Sequence, residues 1–208
     1  FGSNLMRYYT WLKHELMYEA LQIANEIFFF DADVVIFRNP WPEVTYGRDE
    51  TGVRIKGEYD IMYQRERGMR VINCGGSVNS GQLYINKNRN KTLIKQYFQL
   101  LYERKYKIIY DSSRLDQDHV SDIVPSLLKY CTLPVKRFQG HCTWSQDLTA
   151  KWNEIISYHS SCANSHQKKQ ILKNVLIGQE TQLNKMRPMD QILSRFRNNN
   201  LKGNKDTV

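Results

Sequence analysis

The sequence predicts an α/β fold, a mixed sheet flanked by helices, on three observations. Tyr9, Leu12, Leu16, Ala20 and Ile23 recur at three- and four-residue steps, the period of an amphipathic helix, with Lys13, His14, Glu15 and Glu19 largely off that face. That helix delivers the chain to the apolar run Glu26-Ile27-Phe28-Phe29-Phe30, which two acids interrupt before Val34-Val35-Ile36-Phe37. The alternation returns later, where a second amphipathic helix and then a short apolar strand run into His159. Helix, buried strand and polar cluster is the order expected of sheets that gather ligands at the carboxyl ends of their strands.

The remaining elements follow in chain order. Asn39-Pro40-Trp41-Pro42 stops the first strand region, because proline donates no ladder hydrogen bond and restrains its predecessor. Residues 43–58 are polar and irregular, and 59–63 read as a short strand. Gly75-Gly76-Ser77-Val78-Asn79-Ser80-Gly81 reads as a flexible loop, followed by Gln82-Leu83-Tyr84-Ile85 with strand alternation. Leu93, Ile94, Tyr97, Phe98 and Leu101 give a helix over 91–104. Asp116-Gln117-Asp118 opens a short helix that Pro125 is expected to end. Leu133-Pro134 and Phe138-Gln139-Gly140 fall in an irregular segment, 155–158 form a short strand, and a helix covers 167–176. From Asn198 the chain is rich in Asn, Lys and Gly and is expected to be a disordered basic tail. No internal repeat is evident, so residues 1–197 are expected to form one domain.

Composition narrows the function classes. At 208 residues the chain can bury a sizeable core. No run approaches the ~20 apolar residues that span a bilayer, so any membrane attachment is expected from a segment outside this sequence. The chain opens on Phe1 with no signal-peptide pattern, and is expected to be a piece of a longer protein. The net charge of +9 is spread along the chain without a nucleic-acid-binding motif, so a basic surface attractive to anionic nucleotides is expected, and no nucleic-acid partner. Cys74, Cys131, Cys142 and Cys162 lack metal-ribbon spacing; up to two disulfides, or buried thiols, are open. Asn90-Lys91-Thr92 is the single N-glycosylation sequon, in a polar stretch suited to a surface loop.

The chemistry centres on Asp31-Ala32-Asp33. In extended chain, residues two apart point the same way. Two carboxylates ~4–6 Å apart repel by roughly 3–4 kcal/mol at an effective dielectric near 20, and such a pair is most stable around a cation. Oxygen ligands favour a hard divalent ion, Mg²⁺ or Mn²⁺, that keeps positions open for phosphate oxygens. His159 at a later strand end would complete a set of two oxygens and one nitrogen suited to Mn²⁺. Lys168 and Lys169 offer point charges to a diphosphate. Asn79-Ser80-Gly81 supplies small residues and amides able to grip sugar hydroxyls, although its composition equally suits a turn. Asp116 and Gln117 can accept from and donate to hydroxyls, although Asp116 equally suits a helix cap. An acid pair after an apolar strand also fits haloacid-dehalogenase-type phosphatases, for which Asp116-Gln117-Asp118 is a poor second acidic motif, and a non-catalytic sugar-binding domain would keep the same fold.

In order, the chain presents Lys13 on a helix, Asp31-Ala32-Asp33-Val34, Asn39-Pro40-Trp41, Asn79-Ser80-Gly81 and Asp116-Gln117. Leu133-Pro134, Phe138-Gln139-Gly140 and His159-Ser160-Ser161-Cys162 follow, with Lys169 ten residues after the histidine. This series resembles the nucleotide-diphospho-sugar transferase family of retaining glycosyltransferases with a GT-A fold, over roughly residues 10–175. Ser161, Ser165 and Ala24 stand where that family often has Asn, Gly and Gly.

The resemblance implies a GT-A-like mixed sheet with a Rossmann-like nucleotide-binding core, whose first strand lies outside this chain. It implies transfer of a hexose or pentose from a nucleotide sugar, a UDP-sugar, to a hydroxyl of a glycan or glycoprotein, with retention. Asp31, Asp33 and His159 would hold Mn²⁺ or Mg²⁺. Lys13, Asn79, Ser80, Gly81 and Lys169 would bind the donor, and Asp116 and Gln117 would act at the reacting sugar. The family's setting implies the Golgi lumen or secretory pathway, as a type II membrane protein when full length.

Overall fold

The computed structural model describes residues 4–49, 52–66, 74, 78–111, 113–141, 150–161 and 165–182. Gly75, Gly76, Ser77, Cys142, Cys162 and the tail from Asn198 lie outside these. The chain divides into two compact units, one from Phe1–Asp31 and Pro40–Pro134, the other from Ala32–Asn39 and Val135–Val208. Together they give the expected α/β class, mixed sheets flanked by helices.

The first unit is built on a four-stranded sheet of order β1-β4-β3-β5, with β1 Glu26–Phe30, β3 Ile61–Arg65, β4 Val78–Asn86 and β5 Tyr130–Thr132. Strand β4 runs antiparallel to both β1 and β3, while β5 joins β3 in parallel. All nine residues of β4 are buried. The segment read as a loop therefore becomes strand from Val78 onward, with Asn79, Ser80 and Gly81 inside the sheet. Their small side chains are accommodated where the β3–β4 register shifts between Tyr63 and Gln64, the kind of irregularity that re-aims side chains at a strand end.

Helices α1 Asn4–Ile23, α3 Lys91–Glu103, α4 Lys105–Tyr110 and α5 Asp116–Leu127 pack with this sheet. Helix α3 matches its sequence: Ile94, Tyr97, Phe98 and Leu101 are buried, and Asn90 caps the first turn by accepting from the Leu93 N–H at 3.0 Å. Helix α5 is capped by Asp118, whose carboxylate accepts from the Leu115 N–H at 2.7 Å, so Asp116 is not the cap. It runs past Pro125, closing with the Leu128 N–H on the Val124 carbonyl. A short helix α2, Trp41–Tyr46, replaces the irregular start expected after Pro40; proline is tolerated in a first helical turn because the N–H it lacks would have no partner there.

Helix α1 corrects the sequence reading. Tyr9, Leu16 and Ile23, on the face expected to be buried, are 58%, 58% and 93% exposed. The buried face carries Arg7, Trp11, Lys13, His14, Met17 and Leu21. The cause is that its polar members have buried partners. Arg7 donates to the carbonyls of Asp111 and Arg114, and Lys13 and His14 reach Asp116.

A disulfide joins Cys74 to Cys131 of β5. Among the described residues, no helix is long and apolar enough to cross a membrane.

The second unit contains a three-stranded sheet of order β2-β7-β6, from β2 Val34–Ile36, β6 Phe138–Gly140 and β7 Ser157–His159. The segment around Phe138, expected to be irregular, is thus a strand. The last strand starts two residues later than predicted, because the Ile156 carbonyl instead accepts from the Phe37 and Arg38 N–H groups. Helix α6, Ser165–Gln182, extends the predicted one at both ends. Ala150, Ile155, Tyr158, Ile171 and Val175 form this unit's core, with Phe37 against it.

Candidate active site

Each unit carries one cluster of charged side chains at the carboxyl end of a strand. In the first unit, β1 ends at Phe30, and the Asp31 N–H extends its ladder by donating to the Gly81 carbonyl at 2.8 Å. This fixes Asp31 beside the Asn79-Ser80-Gly81 segment. Lys13 Nζ lies 2.9 Å from Asp116 Oδ2 and 3.6 Å from Asp31 Oδ1, and donates to Ser80 Oγ at 2.7 Å. Ser80 passes its own proton toward Asp116 Oδ2 at 3.0 Å, and His14 Nε2 meets that same oxygen at 3.2 Å. One carboxylate oxygen therefore faces an ammonium, a hydroxyl and an imidazole.

The charges follow from that geometry. Burial works to raise the Asp116 pKa, but the charge of Lys13 and the hydrogen bond from His14 prevail and hold it well below the carboxylate range. Burial likewise opposes the Lys13 charge, yet Asp116 and Asp31 hold its pKa above the usual value. His14 is pushed down by its burial, only partly countered by Asp116. At neutral pH it is therefore an uncharged imidazole whose Nε2–H donates to the carboxylate. Asn79 turns back on its own segment: its Oδ1 accepts from the Gly81 N–H at 3.0 Å and its Nδ2 donates to Glu66 at 2.7 Å.

In the second unit, β2 pairs with β7 so that Val34 lies opposite His159. Asp33 then takes both of its backbone-carbonyl bonds from Ser160, N–H and hydroxyl, each at 3.1 Å. Its side chain is clasped from two sides. His159 Nε2 is 3.2 Å from Oδ1, and Lys168 Nζ of α6 forms an ion pair with Oδ2. Burial acts to raise the Asp33 pKa, but His159 and Lys168 outweigh it and hold the carboxyl far below its usual range.

The structure thus gathers Lys13, Ser80, Asp31 and Asp116 in one cluster and Asp33 with His159 in the other. Gly81 contributes a carbonyl to Asp31 and an N–H to Asn79. Gln117, half-buried on α5, contributes its carbonyl to Ser121. Lys169 is exposed, and it is its neighbour Lys168 that faces Asp33; consecutive helix residues point ~100° apart, so only one of the two can. His14 was not singled out from sequence. Its signal lies in Arg7, Trp11, His14 and Leu21, a helical stripe whose polar members mask its period.

The sequence matches the profile of nucleotide-diphospho-sugar transferases over residues 1–171. The chain belongs to the nucleotide-diphospho-sugar transferase family. Its fold is that of a glycosyltransferase, similar at a TM-score of 0.50 and 10% identity to a glycosyltransferase involved in the glycosylation of the major capsid of PBCV-1, over 80% of this chain and 76% of that one. No curated protein matches the sequence. For a nucleotide-diphospho-sugar transferase the substrates are a sugar donor carrying a diphosphate and an acceptor. Carboxylates, imidazole and ammonium groups of the kind found in the two clusters suit binding of a cation and of phosphate.

Proposed function

We propose that this nucleotide-diphospho-sugar transferase moves a hexose or pentose from a UDP-sugar to a hydroxyl of a glycan or glycoprotein, with a divalent cation, Mn²⁺ or Mg²⁺, held by Asp31, Asp33 and His159. The observation that carries the reading is that both acids of Asp31-Ala32-Asp33 already face a protein lysine, Lys13 in one cluster and Lys168 in the other, where His159 Nε2 also lies 3.2 Å from Asp33. Two carboxylates joined by one residue have Cα atoms at most ~7 Å apart. Two oxygens and an imidazole nitrogen fit Mn²⁺ and leave positions for phosphate. When bound, such an ion neutralises charge on the diphosphate leaving group.

The chain's own residues account for the rest. Lys13 and Lys168 supply positive charge for phosphate oxygens, with Lys169 available on the same helix. Asp116 has one oxygen held by three donors, which fixes the orientation of the other toward a sugar hydroxyl. Ser80 bridges Lys13 and Asp116, so the donor-binding charge and the sugar-orienting carboxylate act as one preorganised unit. Asn79 and Gly81 shape the floor beside Asp31, and Gln117 adjoins Asp116 in the chain. Retention of configuration is what the family resemblance implies. A lumenal, Golgi or secretory setting is supported by the Cys74–Cys131 disulfide, since such bonds persist in oxidising compartments.

The test is thermal unfolding with Mn²⁺ and a UDP titration, in wild type and Asp33→Ala. UDP at about a hundred times its dissociation constant adds ~2.7 kcal/mol if only the folded state binds, roughly 5–10 °C in a chain of this size. A metal-dependent shift in wild type that Asp33→Ala abolishes is the expected result. A UDP shift indifferent to metal removes the cation from the reading, and no shift in a folded wild type removes the nucleotide.

A further inference from the structure

We propose that Asn90 is an acceptor for an N-linked glycan. Asn90-Lys91-Thr92 sits where β4 turns into α3, with Asn88, Arg89, Lys91 and Thr92 all exposed. The Asn90 amide is already divided between two roles. Its Oδ1 caps α3 by accepting from the Leu93 N–H at 3.0 Å, while its Nδ2 has no partner among the described residues. The cap thus holds the carbonyl toward the helix and leaves the nitrogen, the atom that is glycosylated, unengaged. A glycan on Nδ2 keeps Oδ1 as an acceptor, so modification and cap are compatible. The second, independent observation is the Cys74–Cys131 disulfide, a bond of the kind that persists in the oxidising compartments where this transfer occurs.

The step is a substitution at carbon. Asn90 Nδ2 forms a bond to C1 of an oligosaccharide carried on a polyprenyl diphosphate. The C1–O bond breaks, the diphosphate leaves with the electron pair, and Nδ2 gives up one proton.

Position in the sheet makes the glycan harmless to the candidate site. Ser80 lies near the start of β4 and Asn86 at its end, six residues or roughly 20 Å apart. Asn90 lies beyond Asn86, at the end of β1 and β4 remote from Asp31. The proposal goes beyond the transferase reading and rests on its lumenal part.

The experiment routes the chain through the secretory pathway of cultured eukaryotic cells behind a secretion signal. The product is mapped by mass spectrometry before and after peptide-N-glycosidase. The expected result is a glycan on the peptide containing Asn90, converted to aspartate by the enzyme, absent in Thr92→Ala and retained in Thr92→Ser. Thr92→Ala leaves the Asn90 cap untouched, so loss of the glycan in that variant is not a folding effect. UDP affinity is expected to be the same within twofold with and without the glycan. A secreted chain with Cys74 and Cys131 oxidised but Asn90 unmodified overturns the proposal. Reduced Cys74 and Cys131 would overturn the lumenal reading on which it rests.

Discussion

Replacing Lys13 with methionine removes the cation at the centre of the first cluster while keeping most of the side chain's length. Lys13 and Asp116 side chains are only 10% and 8% exposed, and their charges stand 2.9 Å apart. At an effective dielectric near 20 that contact is worth roughly 6 kcal/mol of Coulomb attraction, much of it offset by desolvation of both ions. Breaking such a buried pair from one side typically costs ~3–5 kcal/mol, because the remaining charge stays buried without its partner. His14 and Ser80 still donate to Asp116 in the variant, which points to the lower end, about 3 kcal/mol. In a chain of 208 residues this lowers the melting temperature by roughly 6–12 °C.

The assay is urea unfolding at pH 7 of Lys13→Met, Asp116→Asn and the double variant. The double variant is expected to cost less than the sum of the singles, with a coupling of ~1–3 kcal/mol. The pH dependence has a definite sign. The Asp116 pKa is lowered, so its stabilisation is present above the unfolded carboxyl value and lost as pH falls below it. The Lys13 pKa is raised, so its contribution is present below the unfolded lysine value and fades only as pH climbs past it. The coupling should therefore form a plateau from about pH 5 to about pH 10. A Lys13→Met variant within ~0.5 kcal/mol of wild type would show solvated charges, and the preorganised cluster would have to be abandoned.

Four further outcomes are expected. Lys168→Met removes one of the two groups that depress the Asp33 carboxyl, so acid unfolding followed by circular dichroism should begin at higher pH than in wild type. Cys74→Ser opens a covalent loop with a sequence separation of 57 and should cost up to about 4 kcal/mol in denaturant titrations under oxidising conditions; under reducing conditions the two proteins should unfold alike. Leu16→Gln, on the exposed face of α1, should change stability by less than ~0.5 kcal/mol, whereas Met17→Ala on the buried face should cost ~2–5 kcal/mol. Asn90→Ala removes the α3 cap and should cost about 1 kcal/mol in chain made without glycosylation; Asn90→Asp should not.

What could be read from sequence depended on whether the residues that decide a feature are close in the chain. Helix α3 was legible in its period and buried face, because both are encoded within neighbouring residues, Lys91 to Glu103, although Asn90 was not read as its cap. The acids Asp31 and Asp33 stood out for the same reason: an apolar strand ends at them. Helix α1 misled because burial of Arg7, Lys13 and His14 is made possible by groups a hundred residues away, the carbonyls of Asp111 and Arg114 and the carboxylate of Asp116. Hydropathy counts such residues as outward-facing, and no local pattern corrects it. The choice of Lys168 over Lys169 is of the same kind, since helix phase alone leaves both equivalent until α6 meets Asp33. Asn79-Ser80-Gly81 looked like a loop because small residues favour turns, yet in β4 small size lets Lys13 approach the backbone and bridge to Asp116 through Ser80. In both clusters the anion was visible locally, and its lysine was visible only as a candidate whose contact with that acid was not. A charged residue on the polar face of a predicted helix is therefore weak evidence of exposure wherever the same chain carries an acid at a strand end, because that acid must be neutralised by something, and a helix lysine is the nearest means.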